Sequence, residues 1–140
     1  MELQPAVPQA ALGILQARRQ EDYIVLVGAS NDPGKYGNII LKDLVAKGYS
    51  VVPVNPRDPL VEGIRAYPSV ERVPGRVAIV NLVVRPEASR KTLEALVGRQ
   101  VDVVWFQPGS SDADVVAYAR EHFRSVVVDA CIMVVSNRFR

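Results

Sequence analysis

The sequence has one cysteine and one histidine among its 140 residues, and only 6% of its side chains are aromatic. A single cysteine cannot form an internal disulfide, so the protein must fold on its hydrophobic core, which suits a reducing compartment. No apolar run approaches the roughly 18 residues of a membrane span, and the amino-terminal residues lack the basic and apolar stretches of a signal peptide. We therefore expect a soluble, cytoplasmic protein.

The sequence also lacks a strong charge of either sign. Seventeen Lys and Arg residues stand against fifteen Asp and Glu, which leaves a net charge of +2 and argues against nucleic acid as the main partner. Hydrophobic residues make up 49% of the chain, as in ordinary globular proteins. The length predicts one domain over residues 1–140, with residues 1–8 as a loose lead-in.

Aliphatic runs alternate with segments of helical spacing along the whole chain. Strands are predicted at 23–28, 50–54, 76–84, 101–106 and 125–128, and helices at 9–19, 37–47, 86–98 and from Ser110 or Ser111 onward. Between them, a short edge strand is expected at 61–66 and one helical turn at 68–73. This alternation predicts an α/β protein with a doubly wound parallel sheet, whose ligands bind at the carboxyl ends of the strands.

A loop with three glycines, Gly28 to Gly37, joins the first strand to the next helix. Glycine lets the backbone come close to a ligand, and the free N–H groups at a helix N-terminus attract anions. The loop also carries the hydroxyl of Ser30 and the ammonium group of Lys35. Together these features predict a phosphate-binding site.

Two well-known phosphate loops do not match this one. The dinucleotide fingerprint needs glycine where Ser30 and Pro33 stand, and an acid where Asn55 ends the second strand, so NAD is disfavoured. A Walker A loop has four residues between its first glycine and Gly-Lys and then Ser or Thr, whereas this loop has five and then tyrosine. Nucleotide hydrolysis is therefore disfavoured as well.

Polar and basic side chains follow two other predicted strands. Asn55 can hydrogen-bond a ribose or a base edge, and Pro56 stiffens the adjoining wall. Arg57 and Arg85 can each pair with a phosphate. Their joint placement at the predicted rim indicates an anionic ligand.

The residues that often carry catalysis are poorly placed for it. His122 falls near the end of a predicted helix, where a solvated role is expected, and Ser30 has no neighbouring base. Cys131 follows a core strand and is interpreted as a small buried hydrophobe, while Trp105 and Phe106 are expected to pack in the core. We predict no catalytic residue and no metal site.

Six segments together carry a family resemblance. They are 27–35 (VGASNDPGK), 48–56 (GYSVVPVNP), 63–70 (GIRAYPSV), 85–87 (RPE), 104–109 (VWFQPG) and 127–131 (VVDAC). In this combination the sequence over about residues 10–135 resembles the single-domain coenzyme A-binding proteins, which are similar to the amino-terminal domain of the succinyl-CoA synthetase alpha subunit. It departs from the family pattern at Ala130, where arginine is usual, and at Asn81, where the strand is usually apolar or acidic.

The resemblance implies a Rossmann-like fold that binds coenzyme A or an acyl-CoA. It further implies that Gly28, Ala29, Ser30 and Lys35 cradle the phosphates, that Val54, Asn55 and Pro56 border the adenosine, and that Val83, Val84, Arg85 and Pro86 close the other side. CoA also carries a 3′-phosphate, which the basic residues at the predicted rim can bind.

The resemblance also bears on activity. The synthetase reaction uses a phosphorylated histidine from a further domain that these residues do not include, so a non-catalytic CoA-binding module is expected, with a possible protein partner in acyl-CoA metabolism. Two alternatives stay open: an NAD(P)-binding enzyme or redox sensor on the same sheet, and an interaction subunit with a vestigial pocket. A thiol exchange between Cys131 and the sulfur of CoA is also conceivable.

Overall fold

A five-stranded parallel sheet forms the centre of the computed structural model, which describes residues 7–140. Residues 7–140 contain seven strands, and all but β3 and β4 belong to this sheet. They are β1 (Tyr23–Val27), β2 (Val51–Val54), β3 (Leu60–Val61), β4 (Ile64–Arg65), β5 (Val77–Leu82), β6 (Val101–Phe106) and β7 (Ser125–Val127). The helices are α1 (Gln9–Ala17), α2 (Tyr36–Ala46), α3 (Pro86–Leu96), α4 (Ala113–His122) and α5 (Ile132–Ser136). Most of the predicted lead-in lies outside the described residues.

The strand order in the sheet is β2-β1-β5-β6-β7, and every neighbouring pair is parallel. The chain runs outward from β1 to β2 and then returns to the other side of β1 to form β5. The order therefore reverses between β1 and β5, which creates a crevice at their carboxyl ends. The backbone N–H of Val83 donates to the carbonyl of Val27 at 2.9 Å and closes the base of this crevice.

Helices cover both faces of the sheet, as predicted. On one face α1, α2 and α5 pack around a core that includes Trp105, and on the other α3 and α4 pack around a core that includes Phe106. Both aromatic side chains are fully buried, which confirms the expectation that they stabilise the core. No helix in the described part of the chain is long and apolar enough to cross a bilayer.

The segment expected to be one edge strand is instead a separate hairpin. The strands β3 and β4 are antiparallel and belong to their own two-stranded sheet. Glu62 and Gly63 connect them with φ values of 50° and 77°, and two consecutive left-handed residues reverse the chain tightly. The single helical turn expected nearby is confirmed as the 3₁₀ helix Val70–Arg72.

Two helix assignments also differ from the sequence prediction. The cap of α4 is Asp112, whose carboxylate accepts from the Val115 N–H at 2.9 Å, rather than Ser110 or Ser111. Ser110 is buried instead, and its carbonyl accepts from the Ser89 hydroxyl at 2.7 Å. The helix α5 was not predicted, because its five residues are too few to show a helical period.

Asn81 does not interrupt β5, which continues through it to Leu82. Its side chain is fully buried, and neither amide atom has a hydrogen-bond partner among residues 7–140. An unpaired buried amide costs about 1–3 kcal/mol. We find no compensating contact that explains it.

The first turn of α2 packs directly against the end of β1. A Cβ at Gly37 would lie 1.9 Å from the carbonyl oxygen of Gly28, and a Cβ at Gly28 would lie 2.4 Å from the carbonyl oxygen of Val83. Gly28 also has a φ of 100°, which side chains rarely tolerate. The two glycines therefore let the helix, β1 and β5 meet at one point.

Gly37→Ala is expected to lower the free energy of unfolding by about 3 kcal/mol or more, because its methyl group overlaps backbone that cannot move aside cheaply. Urea unfolding measures the change. Gly13→Ala is the matched control: it lies in α1 with no atom within 4 Å of the added Cβ, and is expected to stabilise by about 0.5–1 kcal/mol. Equal effects at both positions would contradict the packing argument.

Candidate functional site

The loop after β1 is braced by its own side chains. The Ser30 hydroxyl accepts from the Asp32 N–H at 3.0 Å, and the Asp32 carboxylate accepts from the Gly34 N–H at 2.9 Å. Lys35 occupies the N-cap position of α2, and its side chain makes no capping hydrogen bond. The loop thus presents a fixed backbone, a hydroxyl proton and an ammonium group at a helix N-terminus, whose first N–H groups have no partner within the helix.

An open cleft of about 590 Å³ lies beside this loop at the carboxyl edge of the sheet. It is lined by Gly28, Ala29, Ser30, Lys35, Asn55, Pro56, Arg57, Asp58, Val83 and Val84. The structure therefore brings together residues from the ends of β1, β2 and β5 that the sequence placed at one site. Three predicted site residues do not line it. Val54 lines a neighbouring depression instead, Arg85 is exposed at the N-cap position of α3, and Pro86 is the first residue of that helix.

A second, more apolar depression of about 360 Å³ continues from the cleft. The two share Gly28, Pro56 and Val84. The rest of its lining comes from Val27, Val54, the segment 68–71, and Lys91, Thr92 and Ala95 of α3. Sequence reasoning missed the residues of 68–71 and α3, although the spacing of residues 91, 92 and 95 already put them on one helix face.

Asn55 connects the two loops that border the cleft. Its Nδ2 donates to the Ala29 carbonyl at 3.0 Å, and its Oδ1 accepts from the N–H groups of Arg57 and Asp58, each at 2.8 Å. Both lone pairs of Oδ1 are therefore used within the protein, and one Nδ2 hydrogen remains for a ligand. The side chain positions the loop after β2 as well as bordering the cleft.

The β3–β4 hairpin is attached to the loop after β1 through asparagine side chains. Asn31 Nδ2 donates to the Asp58 carboxylate at 3.0 Å and to the Leu60 carbonyl at 2.9 Å, and its Oδ1 accepts from the Glu62 N–H at 2.8 Å. Asn38, on α2, donates to both the Ser30 carbonyl and the Glu62 carboxylate. These positioning residues were missed because their partners around the hairpin lie 24 to 31 residues away along the chain.

The cleft lining contains more basic than acidic side chains. Lys35 and Arg57 line it, and the one carboxylate in its lining, Asp58, accepts from Asn31. Within residues 7–140 no three His, Cys, Asp or Glu side chains cluster as metal ligands do. His122 is exposed at the end of α4, with its ring centroid 4.3 Å from that of Tyr118, and does not line the cleft.

Cys131 lies at the same edge of the sheet, between β7 and α5. It is only partly buried, which differs from the expected fully buried hydrophobe, and its Sγ accepts from Gln107 Nε2 at 3.3 Å. Gln107 Oε1 in turn accepts from the Ile132 N–H at 2.8 Å. Gln107 therefore fixes the start of α5 beside the end of β6.

The sheet order and the open cleft at its switch point define this chain as a small Rossmann-like α/β protein. Comparison with known sequences then narrows the class. Residues 22–137 match the CoA binding domain family, and the chain belongs to that family.

Individual relatives agree with this assignment. The uncharacterized protein YneT of Bacillus subtilis (strain 168) is 30% identical over 111 residues, covering 79% of this chain and 82% of that protein. The alpha subunit of the ADP-forming acetate–CoA ligase II of Pyrococcus furiosus is 42% identical over 71 residues, which is 50% of this chain and 16% of the subunit. A solved structure, a hypothetical protein from Pyrococcus horikoshii OT3, has a TM-score of 0.86 at 32% identity and covers 99% of this chain and 98% of its own.

Asn55→Asp is expected to lower the free energy of unfolding by about 1–3 kcal/mol at neutral pH. The substitution keeps the oxygen that accepts from Arg57 and Asp58 but sets a carboxylate oxygen against the Ala29 carbonyl. Urea unfolding measures the loss. Asn137→Asp, which makes the same change at an exposed position, is expected to stay within about 0.5 kcal/mol of the parent. Equal losses would show that charge alone causes the effect.

Proposed function

We propose that this chain binds coenzyme A or an acyl-CoA in the cleft at the carboxyl edge of its sheet and acts as a binding module without ligase chemistry of its own. One observation carries the proposal: a cleft lined by two cations, Lys35 from the phosphate-type loop and Arg57 from the loop after β2, adjoins an apolar depression. A ligand that joins several phosphates to a flat base fits such a site. Membership of the CoA binding domain family supports CoA over other nucleotides.

The phosphates belong beside the first turn of α2. Ser30 and Lys35 supply a hydroxyl and an ammonium group there, and the helix N-terminus adds a favourable field. That field contributes only about 0.3–1 kcal/mol when exposed, so phosphate alone binds weakly. Arg57 lies at the rim, where it can pair with the 3′-phosphate.

The adenosine belongs in the apolar depression. Val54, Pro56 and Val84 form its inner wall, and Lys91 and Thr92 of α3 supply polar groups at its border. Burying apolar surface gives about 25 cal/mol per Å², so this wall can supply the affinity that the exposed phosphate contacts do not. Val83 and Val84 close the side next to β5, whereas Arg85 can reach the ligand only from outside the cleft.

The contacts of Asn55 argue against a nicotinamide dinucleotide. In such sites a carboxylate at the end of the second strand accepts hydrogen bonds from the ribose hydroxyls. Here the Asn55 oxygen already accepts from two backbone N–H groups, and the side chain can only donate further. The family assignment and this polarity both favour CoA.

A ligand at 100 times its dissociation constant stabilises the protein by about 2.7 kcal/mol. For a chain of this size, CoA or acetyl-CoA at such a concentration is expected to raise the melting temperature by roughly 10 °C, while NAD and NADPH leave it unchanged. A thermal melt with each ligand tests this. A shift with NAD and none with CoA at millimolar concentration would refute the proposal.

Lys35→Ala is expected to weaken CoA binding by about tenfold, because a charge-assisted contact to phosphate is lost, and to leave adenosine binding unchanged. Isothermal titration calorimetry measures both affinities. Lys42→Ala is the control, since it removes the same charge from the same helix but lies outside the cleft lining. A parallel loss of CoA and adenosine affinity would remove the phosphate role from Lys35.

A further inference from the structure

A small apolar pocket of about 190 Å³ opens at the same edge of the sheet, on the other side of α2's first turn. It is lined by Tyr36, Ile40, Val83, Gln107, Pro108 and Cys131. Its one amide, Gln107, already pairs with Cys131 and with the Ile132 N–H, so the surface it offers is largely apolar. No residue of this pocket except Val83 belongs to the cleft lining.

The pocket adjoins the proposed CoA site. Val83 lines both cavities, and Tyr36, which walls the pocket, directly follows Lys35, which lines the cleft. The phosphates proposed beside α2 therefore lie between the adenosine depression and this pocket. In an acyl-CoA the pantetheine arm separates the diphosphate from the thioester, on the side opposite the adenosine. The pocket includes Gln107 and Pro108 after β6 and Cys131 after β7, and three strand spacings of about 4.8 Å separate β1 from β7. An extended pantetheine arm that follows this edge of the sheet therefore brings the acyl end to the pocket.

The size and chemistry of the pocket select a short acyl group. An apolar cavity of about 150 Å³ takes up benzene, so 190 Å³ holds a chain of a few carbons. Tyr36 at the pocket wall is 67% exposed, and a bound chain would cover part of its ring. A free thiol, which is smaller and more polar, would leave most of this surface uncovered.

We infer that this pocket holds the acyl group of a short-chain acyl-CoA, so that the preferred ligand is a butyryl-sized thioester and not free CoA. The inference rests on the proposed CoA site. It requires no covalent step: the thioester stays intact, and Cys131 acts as one wall of the pocket.

Titration calorimetry with free CoA, acetyl-CoA and butyryl-CoA tests the inference. Each buried methylene strengthens binding by up to roughly fourfold, so butyryl-CoA is expected to bind about tenfold more tightly than acetyl-CoA. The S-butyl thioether of CoA, which cannot acylate Cys131, is expected to bind about as tightly as butyryl-CoA. If the thioether bound no more tightly than free CoA, the preference for butyryl-CoA would be due to acylation of Cys131, and the inference would be overturned.

Cys131→Leu fills the pocket and is expected to reduce the ratio of butyryl-CoA affinity to acetyl-CoA affinity to less than about twofold. Val134→Leu, at an exposed position of α5, the helix that begins directly after Cys131, is the control and should keep the full preference for butyryl-CoA. Ile40→Val gives a second test, because the pocket gains room for one methylene and the tightest binding is expected to shift toward pentanoyl-CoA. Equal binding of CoA and all its esters would overturn this inference and leave the CoA site standing, whereas no binding of any of them would refute the CoA site itself.

Discussion

The contact between α2 and the end of β1 is the constraint on which the rest of the cleft depends. Gly37 rests on the carbonyl of Gly28, and Gly28 rests on the carbonyl of Val83, with no room for a methyl group at either contact. A helix that stood farther from the sheet would carry its first N–H groups and Lys35 away from the β5 wall. The absence of a side chain at Gly28 and Gly37 therefore determines how close α2 lies to β1 and β5, and so how wide the cleft is.

Asparagine side chains connect the loops that the hydrogen bonds of the sheet do not join. Asn31 and Asn55 each use an amide to join segments that share no sheet hydrogen bonds, and Asn38 ties α2 to both the loop and the hairpin. Such contacts order a loop before any ligand binds, which reduces the conformational entropy lost on binding. Neutral amides accordingly connect the loops around the cleft, while the charged residues Lys35, Arg57 and Asp58 line it.

The main elements were predictable because their signals are local. The core strands show as continuous aliphatic runs, and the loop at Gly28 shows as an abrupt strand end before a helix, so sequence reasoning found the sheet and the carboxyl edge. The apolar depression was not predictable, because it forms only when Tyr67 pairs with Val54 and brings 68–71 beside the cleft. Arg85, expected at the rim from its place after a strand, is the exposed N-cap residue of α3 and does not line the cleft itself.

The hairpin has a further consequence for how the protein moves. Its two short strands belong to no larger sheet, and side chains of Asn31 and Asn38 supply much of what attaches Glu62 and its neighbours to the loop after β1. Val61 of the hairpin is also fully buried in the core around α1, α2 and α5, so apolar packing and these amides together hold the hairpin in place. The hairpin and the loop after β1 are therefore connected by hydrogen bonds, and a change that orders this loop is expected to slow hydrogen exchange in the hairpin as well.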